Sequence, residues 1–182
     1  MRLQTLLISA LLSILPSCGP EPYWGASKPV RIEIGEWVPI PTDTIRAAIT
    51  DRLSQFEIPV SDAGTRIVRV QFDPACSCAG CQVAGPTRTA AYTTDRIRIC
   101  DGIEDVMTKT PRGPYLVLGH ELGHLLGLHR HLPAGGNLMA PIFDNYRDLS
   151  GYSAADLTAI CQAGQIASPT CDRVGEAAKF VR

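Results

Sequence analysis

The histidines of this chain are concentrated in one short stretch, HELGHLLGLHRH, which runs from His120 to His131. The sequence contains four histidines, and all of them lie in this stretch together with one glutamate. His120 and His124 are one helical turn apart, so in a helix both imidazoles project from the same face, about 5–6 Å apart at Cβ. This spacing suits two nitrogen ligands of one metal ion, and the sequence therefore predicts a zinc site here.

Glu121 lies beside the first of these histidines and is predicted to be the catalytic base rather than a ligand. From the same helix face it could contact a water on the metal, whose pKa zinc lowers to about 7. Glu121 would take the proton of that water during attack on a carbonyl and pass it to the leaving amine. Without a metal, each of these buried polar side chains would need its own hydrogen-bond partner. The pattern thus predicts a zinc-dependent hydrolase.

The element that must position these residues is a helix, predicted from about Pro114 to Leu126 with Pro114 in its first turn. Leucines cover much of the side opposite the histidines, so we expect a central, buried helix. Gly119 and Gly123 form a bare stripe along it, where a neighbouring element can approach closely. Gly127 is placed to end the helix in a left-handed conformation.

Alternating apolar and polar residues predict strands, and apolar residues at helical spacing predict further helices. The predicted strands are residues 30–34 (VRIEI), 68–72 and 96–100, with a polar edge strand, PTRTAAYTT, at 86–94. One predicted helix runs from Thr42 or Asp43 to about Glu57. Another begins at a cap formed by Ser153 and Asp156. The inner face of this second helix is predicted to consist of Ala154, Leu157, Ile160 and Cys161. These elements predict an α+β fold with one mixed sheet.

Two motifs, HELGHLLGL at 120–128 and NLMAP at 137–141, resemble those of the metzincin zinc peptidases, and within them the matrixins. A helix opening near Ser153 fits the same pattern. The resemblance implies a zincin fold, with a twisted mixed sheet of about five strands, a central active-site helix and a C-terminal helix. Gly127 matches the glycine that ends the active-site helix, and Met139 matches the methionine of a tight turn beneath the metal.

The same resemblance implies a metalloendopeptidase, which binds an extended peptide or protein substrate antiparallel to an edge strand. Its specificity pocket would be lined by residues after Met139, and by loop order we expect Ile142, Phe143 and Tyr146 there.

The third metal ligand is where the sequence departs from the family pattern. That pattern places the third histidine ten positions after the first, where this chain has Arg130, which stays protonated and cannot ligate. The resemblance favours His131, because its distance of eight residues from Met139 matches the matrixin spacing. His129 remains the alternative third ligand.

The N-terminus predicts export. Leu6–Leu15 is an apolar run too short to span a bilayer but long enough for the core of a signal peptide. The following LPSC resembles a bacterial lipobox, which implies cleavage before Cys18 and acylation of that cysteine. The predicted organisation is a signal peptide at 1–17, a lipid-anchored tether at 18–29 and the peptidase domain at 30–182. If the signal is instead a plain one, the protein is secreted and Cys18 is a spare thiol.

Export also makes the remaining cysteines candidates for disulfide bonds. Cys161 and Cys171 would close a small C-terminal loop, and we predict that they pair. The remaining four would then pair among themselves: Cys76, Cys78, Cys81 and Cys100. A zinc knot at CSCAGC is the alternative for that segment. The end of the chain, with Arg173, Lys179 and Arg182, is predicted to be a solvated tail.

Composition narrows the choice of partner. The formal net charge is −1 and the basic residues are scattered, which argues against nucleic acid. The main prediction is an extracytoplasmic zinc metalloendopeptidase in the bacterial cell envelope, periplasmic or outer-surface. One alternative is a zincin-fold binding lipoprotein that is catalytically weak or inactive. The other is a zinc hydrolase of cell-wall peptides, which would use the same catalytic residues.

Overall fold

The computed structural model describes residues 23–36, 38, 40–73, 82–88, 93–100, 112–133, 135–140, 151–163 and 166–179. For 82–88, 93–94, 100 and 178–179 it describes the backbone only. Several predictions from the sequence lie outside these residues: the signal peptide, Cys18, the cysteines at 76, 78 and 81, and the pocket residues Ile142, Phe143 and Tyr146. No helix in the described part of the chain has the length and apolar character needed to cross a bilayer.

The described strands form one four-stranded sheet and one separate pair. They are β1 (Trp24–Gly25), β2 (Val30–Ile34), β3 (Arg66–Asp73), β4 (Gln82–Arg88), β5 (Thr93–Cys100) and β6 (Ile166–Ala167). The larger sheet has the order β2-β3-β5-β4, and β1 pairs with β6. Within the sheet β2, β3 and β5 run parallel, and β4 is antiparallel to β5. This confirms a mixed sheet, while the fifth strand that the resemblance implies is not among the described residues.

The edge strand lies earlier in the sequence than predicted. β4 covers 82–88 rather than 86–94, and Thr93 and Thr94 already belong to β5. In the register of this pair the backbone of Val83 stands opposite that of Ile97, so the antiparallel pairing with β5 begins well before the polar segment. The register shifts between Ala84 and Thr87, where Pro86 sits on an edge strand that can tolerate its missing N–H.

Four helices are described: α1 (Thr42–Ser54), α2 (Gly113–Leu125), α3 (Ala154–Gln162) and α4 (Pro169–Lys179). The start of α1 differs from the prediction, because Pro41 occupies the N-cap position and no side chain caps the helix. It also ends three residues before Glu57, which adopts a left-handed φ of 57° in the turn that follows.

The two C-terminal helices correct two further predictions. The capping box of Ser153 and Asp156 is confirmed, and so is most of the predicted inner face of α3, since Ile160 is buried and Leu157 and Cys161 pack against the core. Asp156 and Ala159 are buried while Ala154 is exposed, because the carboxylate turns inward to bond the backbone beneath α2. The predicted tail is helix α4, whose Arg173 bonds Glu57 and thereby ties it to the end of α1.

The helix α2 is central, as predicted. Eleven of its residues are buried, including both glycines of the bare stripe and Glu121. It contacts α1, and it also approaches β4 and β5. The inward-facing residues of the parallel strands complete this core: Val30, Ile32, Val68, Val70, Ile97 and Ile99.

The segment at the start of the described chain is anchored to the domain. The Trp24 side chain is fully buried, and its indole N–H donates to the carbonyl of Leu125 at the end of α2, at 3.1 Å. The Arg66 guanidinium lies 3.3 Å from the Trp24 ring centroid and pairs with buried Asp95 at 2.7 Å. Tyr23 to Gly25, the last part of the predicted tether at 18–29 that the structure describes next to the core, are therefore held in place by a buried tryptophan.

Candidate metal centre

The end of α2 directs the chain back towards the histidines. Gly127 has a φ of 113°, as its predicted role requires, and its N–H donates to the carbonyl of His124 at 3.0 Å. The next N–H, of Leu128, reaches back to the carbonyl of Gly123 at 3.2 Å. This helix end reverses the chain without straining a side chain, and four residues later His131 lies beside the helix.

Three imidazoles converge at this point, those of His120, His124 and His131. Their ligand atoms all lie within 4.8 Å of one another. Nε2 of His120 is 3.1 Å from Nε2 of His124 and 3.3 Å from Nε2 of His131. Tetrahedral zinc with Zn–N bonds of about 2.05 Å would place its nitrogens about 3.3 Å apart. The three side chains therefore fit the spacing of a single metal ion.

Backbone carbonyls fix the proton positions of two of these rings. Nδ1 of His120 lies 2.8 Å from the Leu138 carbonyl, and Nδ1 of His124 lies 2.6 Å from the Leu128 carbonyl. Because a carbonyl can only accept, each Nδ1 carries the proton, and in the neutral rings both Nε2 atoms present lone pairs. Two lone pairs 3.1 Å apart repel each other unless a cation lies between them. The donor set thus fits a metal ion.

Burial keeps the rings of His120 and His124 neutral. It lowers the pKa of His120 to about 4, which the hydrogen bond to Leu138 only partly opposes. Burial likewise lowers the pKa of His124. His131 is exposed, so the cluster is open to solvent on that side. Neutral imidazole is the form that binds metal, and the open side leaves access for a further ligand or a substrate.

Glu121 is buried beside the cluster without belonging to it. Only 6% of its surface is exposed, and burial raises the pKa of its carboxyl group to about 8. Among the described residues, no hydrogen-bond donor or cation contacts its carboxylate. A carboxyl group that titrates near neutrality in a buried site has the properties of a general acid–base.

The two residues that precede His131 in the sequence lie outside the cluster. His129 and Arg130 are both exposed, and neither contributes a ligand atom to the group of three histidines. Of the two predicted candidates for third ligand, the structure brings His131 to the pair.

The predicted methionine turn lies beneath α2. Met139 is fully buried, and a Cβ added to Gly123 would clash with its side chain. The Met139 carbonyl accepts from the N–H of Leu132 at 2.8 Å, which closes the loop that carries His131. The bare stripe on α2 is therefore the surface on which this turn packs.

Asp156 is the site residue that the sequence did not reveal as such. Its carboxylate accepts from the N–H groups of Leu138 at 2.8 Å and Met139 at 3.1 Å, in addition to the capping bond from Ser153. The sequence pattern identified the helix cap only. The full burial of an aspartate is visible in the structure alone.

The described disulfide is the predicted one, between Cys161 and Cys171. It joins α3 to α4 and encloses β6, the strand that pairs with β1. It thus links α4 covalently to α3, whose Asp156 bonds the backbone of the methionine turn.

Comparison of the chain with protein-family models, curated proteins and solved structures finds no match. The functional inference therefore depends on the site. An α+β fold with three converging histidines that could hold a metal ion is compatible with a zinc hydrolase.

Proposed function

We propose that the protein is an extracytoplasmic zinc metalloendopeptidase of metzincin type. The observation that carries this proposal is the convergence of three Nε2 atoms beside a buried glutamate whose pKa is raised. A purely structural zinc site does not require such a glutamate, since its four positions are closed by ligands. Among the described residues three side chains converge here, and one of them borders solvent.

In this proposal His120, His124 and His131 hold the ion. A bound zinc ion would act as a Lewis acid towards a peptide carbonyl and would lower the pKa of a water molecule. Glu121 accepts the proton of the attacking water and delivers it to the nitrogen of the leaving amine. Its burial keeps solvent from competing for that proton, and it places the carboxyl pKa near the working pH.

Substrate binding in this proposal uses the edge of the sheet. β4 forms one edge of the four-stranded sheet and approaches α2, which carries the histidines. An extended peptide could add to such an edge through main-chain hydrogen bonds, with its scissile bond near the metal. The signal-like N-terminus supports export, and the lipobox-like LPSC supports acylation of Cys18 and attachment to the cell envelope.

The experiment is a comparison of the parent with Glu121→Gln, which keeps the shape of the side chain and removes its basicity. Both proteins, starting at residue 19 and folded under oxidising conditions with zinc, are incubated with an unfolded protein, and the fragments are identified by mass spectrometry. We expect cleavage by the parent only, while both retain one zinc ion. His129→Ala is the matched control and should cleave like the parent.

The other outcomes contradict the proposal. If the parent holds zinc and cuts cell-wall peptides but no protein, the protein is the alternative zinc hydrolase. If it holds zinc and cuts neither, the scaffold interpretation replaces the peptidase. If Glu121→Gln cuts as well as the parent, Glu121 is not the base.

A further inference from the structure

One peptide group connects a buried carboxylate to a histidine of the metal centre. The peptide between Leu138 and Met139 presents its C=O to Nδ1–H of His120, at 2.8 Å. The N–H of the same peptide group, which belongs to Met139, donates to Oδ1 of Asp156 at 3.1 Å. Asp156 is therefore hydrogen-bonded to His120 through a single peptide group.

From this arrangement we infer that Asp156 is a positioning residue for the metal centre, holding and polarising His120 through the Leu138–Met139 peptide. The inference depends on the metal-binding part of the proposed function and is independent of peptide hydrolysis.

The physical reason is cooperativity of hydrogen bonds in a dry environment. A carboxylate at the N–H end of a peptide draws the proton and leaves more negative charge on the carbonyl oxygen. A stronger acceptor at Nδ1–H makes the imidazole more electron-rich, so Nε2 becomes a better ligand. Asp156 is fully buried, so water does not screen this effect.

Helix capping alone does not account for the contacts of Asp156. The capping box needs its Oδ2 for the Ser153 N–H and its own N–H for the Ser153 hydroxyl, and both bonds are present. The two further bonds, from the N–H groups of Leu138 and Met139, fall outside the helix. They fix the orientation of the peptide group that His120 uses.

His124 offers an internal comparison. Its Nδ1–H donates to the Leu128 carbonyl, just beyond the end of α2. Within the described part of the chain, no carboxylate bonds the peptide group that follows Leu128. A change at Asp156 should therefore affect the ring of His120 and leave the ring of His124 nearly unchanged.

The test measures zinc affinity against a competing chelator for three forms of the full mature chain. Asp156→Asn removes the charge and one acceptor from the backbone N–H groups, and we expect zinc to bind about 10–100-fold more weakly. Ser153→Ala is the matched control, because it removes the other bond of the same capping box, from the Asp156 N–H to the serine hydroxyl, and leaves the bonds to Leu138 and Met139 available. Its zinc affinity should equal that of the parent.

The metal-free forms provide a second readout. In Asp156→Asn the ¹⁵N resonances of the His120 ring should shift, and those of His124 should not. Equal zinc affinity of Asp156→Asn and parent, or equal shifts of both rings, would overturn the inference. A parent that binds no zinc at all would instead contradict the proposed function, which separates the two failures.

A measurement on the parent alone decides the matter if Asp156→Asn does not fold. Zinc binding to His120 makes its Nδ1–H more acidic, which should polarise the peptide and move the amide resonance of Met139. The amide of Ser153 bonds the same carboxylate but is not part of the peptide group that links Asp156 to His120, so its resonance should move much less. Equal movement of the two amides would overturn the inference.

Discussion

Two histidines separated by one residue have different environments in this protein. His131 lies 3.3 Å from His120, nitrogen to nitrogen, whereas His129 is exposed and outside the cluster. The difference arises because the loop after Gly127 is closed by the bond from the Leu132 N–H to the Met139 carbonyl. His131 precedes that bond directly, so its position is fixed relative to the turn beneath α2.

This difference predicts unequal effects of two neighbouring alanine substitutions. His131→Ala should weaken zinc binding by more than about 100-fold, because losing a ligand costs more than losing the partner of a ligand. His129→Ala, two residues earlier in the same loop, should leave the affinity unchanged. Equilibrium competition with a chelator measures both, and equal losses would contradict the assignment of the third ligand.

The raised pKa of Glu121 predicts how the stability of the metal-free protein depends on pH. Its pKa is about 8 when folded and near 4.5 when exposed, so between these values the folded state binds the extra proton. Stability from this group is therefore highest below about pH 4.5 and is lost as the pH rises to 8. Glu121→Gln removes that loss.

We accordingly expect Glu121→Gln, with metal chelated, to be more stable than the parent at pH 9 by at least about 1 kcal/mol. At pH 5 the two should be nearly equal. The histidines also titrate, but they do so in both proteins, so the difference isolates Glu121. Urea unfolding at the two pH values measures it, and a difference that does not change with pH would contradict the buried carboxyl group.

At the scale of elements, the methionine turn can pack closely on α2 because Gly123 has no side chain at the contact. A Cβ on Gly123 would meet the buried Met139 side chain, with Cε at 2.9 Å. Gly175, in the exposed part of α4, has no atom within 4 Å of such a Cβ. The two positions are both helical glycines and differ in their surroundings.

Alanine at the two glycines should therefore have opposite effects. Gly175→Ala should stabilise the protein by about 0.5–1 kcal/mol, because alanine loses less backbone entropy in a helix. Gly123→Ala gains the same entropic benefit but displaces the Met139 side chain, so we expect a net loss of stability of about 1–3 kcal/mol. Urea unfolding measures both, and equal stabilisation would show that the turn does not pack tightly on α2.

Local patterns in the sequence were sufficient to predict α2 and the Ser153 cap, because both patterns relate residues that are about one helical turn apart. The same holds for the paired ligands His120 and His124, and for the φ of Gly127. The sequence could not fix the edge strand, since its register depends on pairing with β5. It also could not show the link from Asp156 to His120, because residues far apart in sequence meet only after the chain has folded.

At the scale of the whole molecule, the segment around Trp24 is part of the hydrophobic core. Trp24 bonds the end of α2, stacks with Arg66 and belongs to the strand that pairs with β6. A segment expected to be a tether thus joins α2 to the C-terminal elements. The sequence did not show this, because a single tryptophan in a Pro/Gly-rich stretch has no periodic neighbours.

Removal of the Trp24 side chain should therefore destabilise the whole domain. Trp24→Ala should cost about 3–5 kcal/mol, as for other fully buried aromatic residues. Trp24→Phe keeps most of the apolar contact and loses the bond to Leu125, so a smaller loss is expected. Thermal unfolding of the three proteins measures the effect, and a Trp24→Ala protein as stable as the parent would show that this segment is a free tether.

If Cys18 is acylated as proposed, the buried position of Trp24 would also limit how far the protein can travel from a membrane. Tyr23 follows Cys18 by only five residues, which span at most about 18 Å when fully extended. With Cys18 acylated, as proposed, the domain would remain next to the lipid surface, and it would find substrates by lateral diffusion in that plane. Its natural substrates would then be proteins that are themselves attached to the membrane or pass close to it.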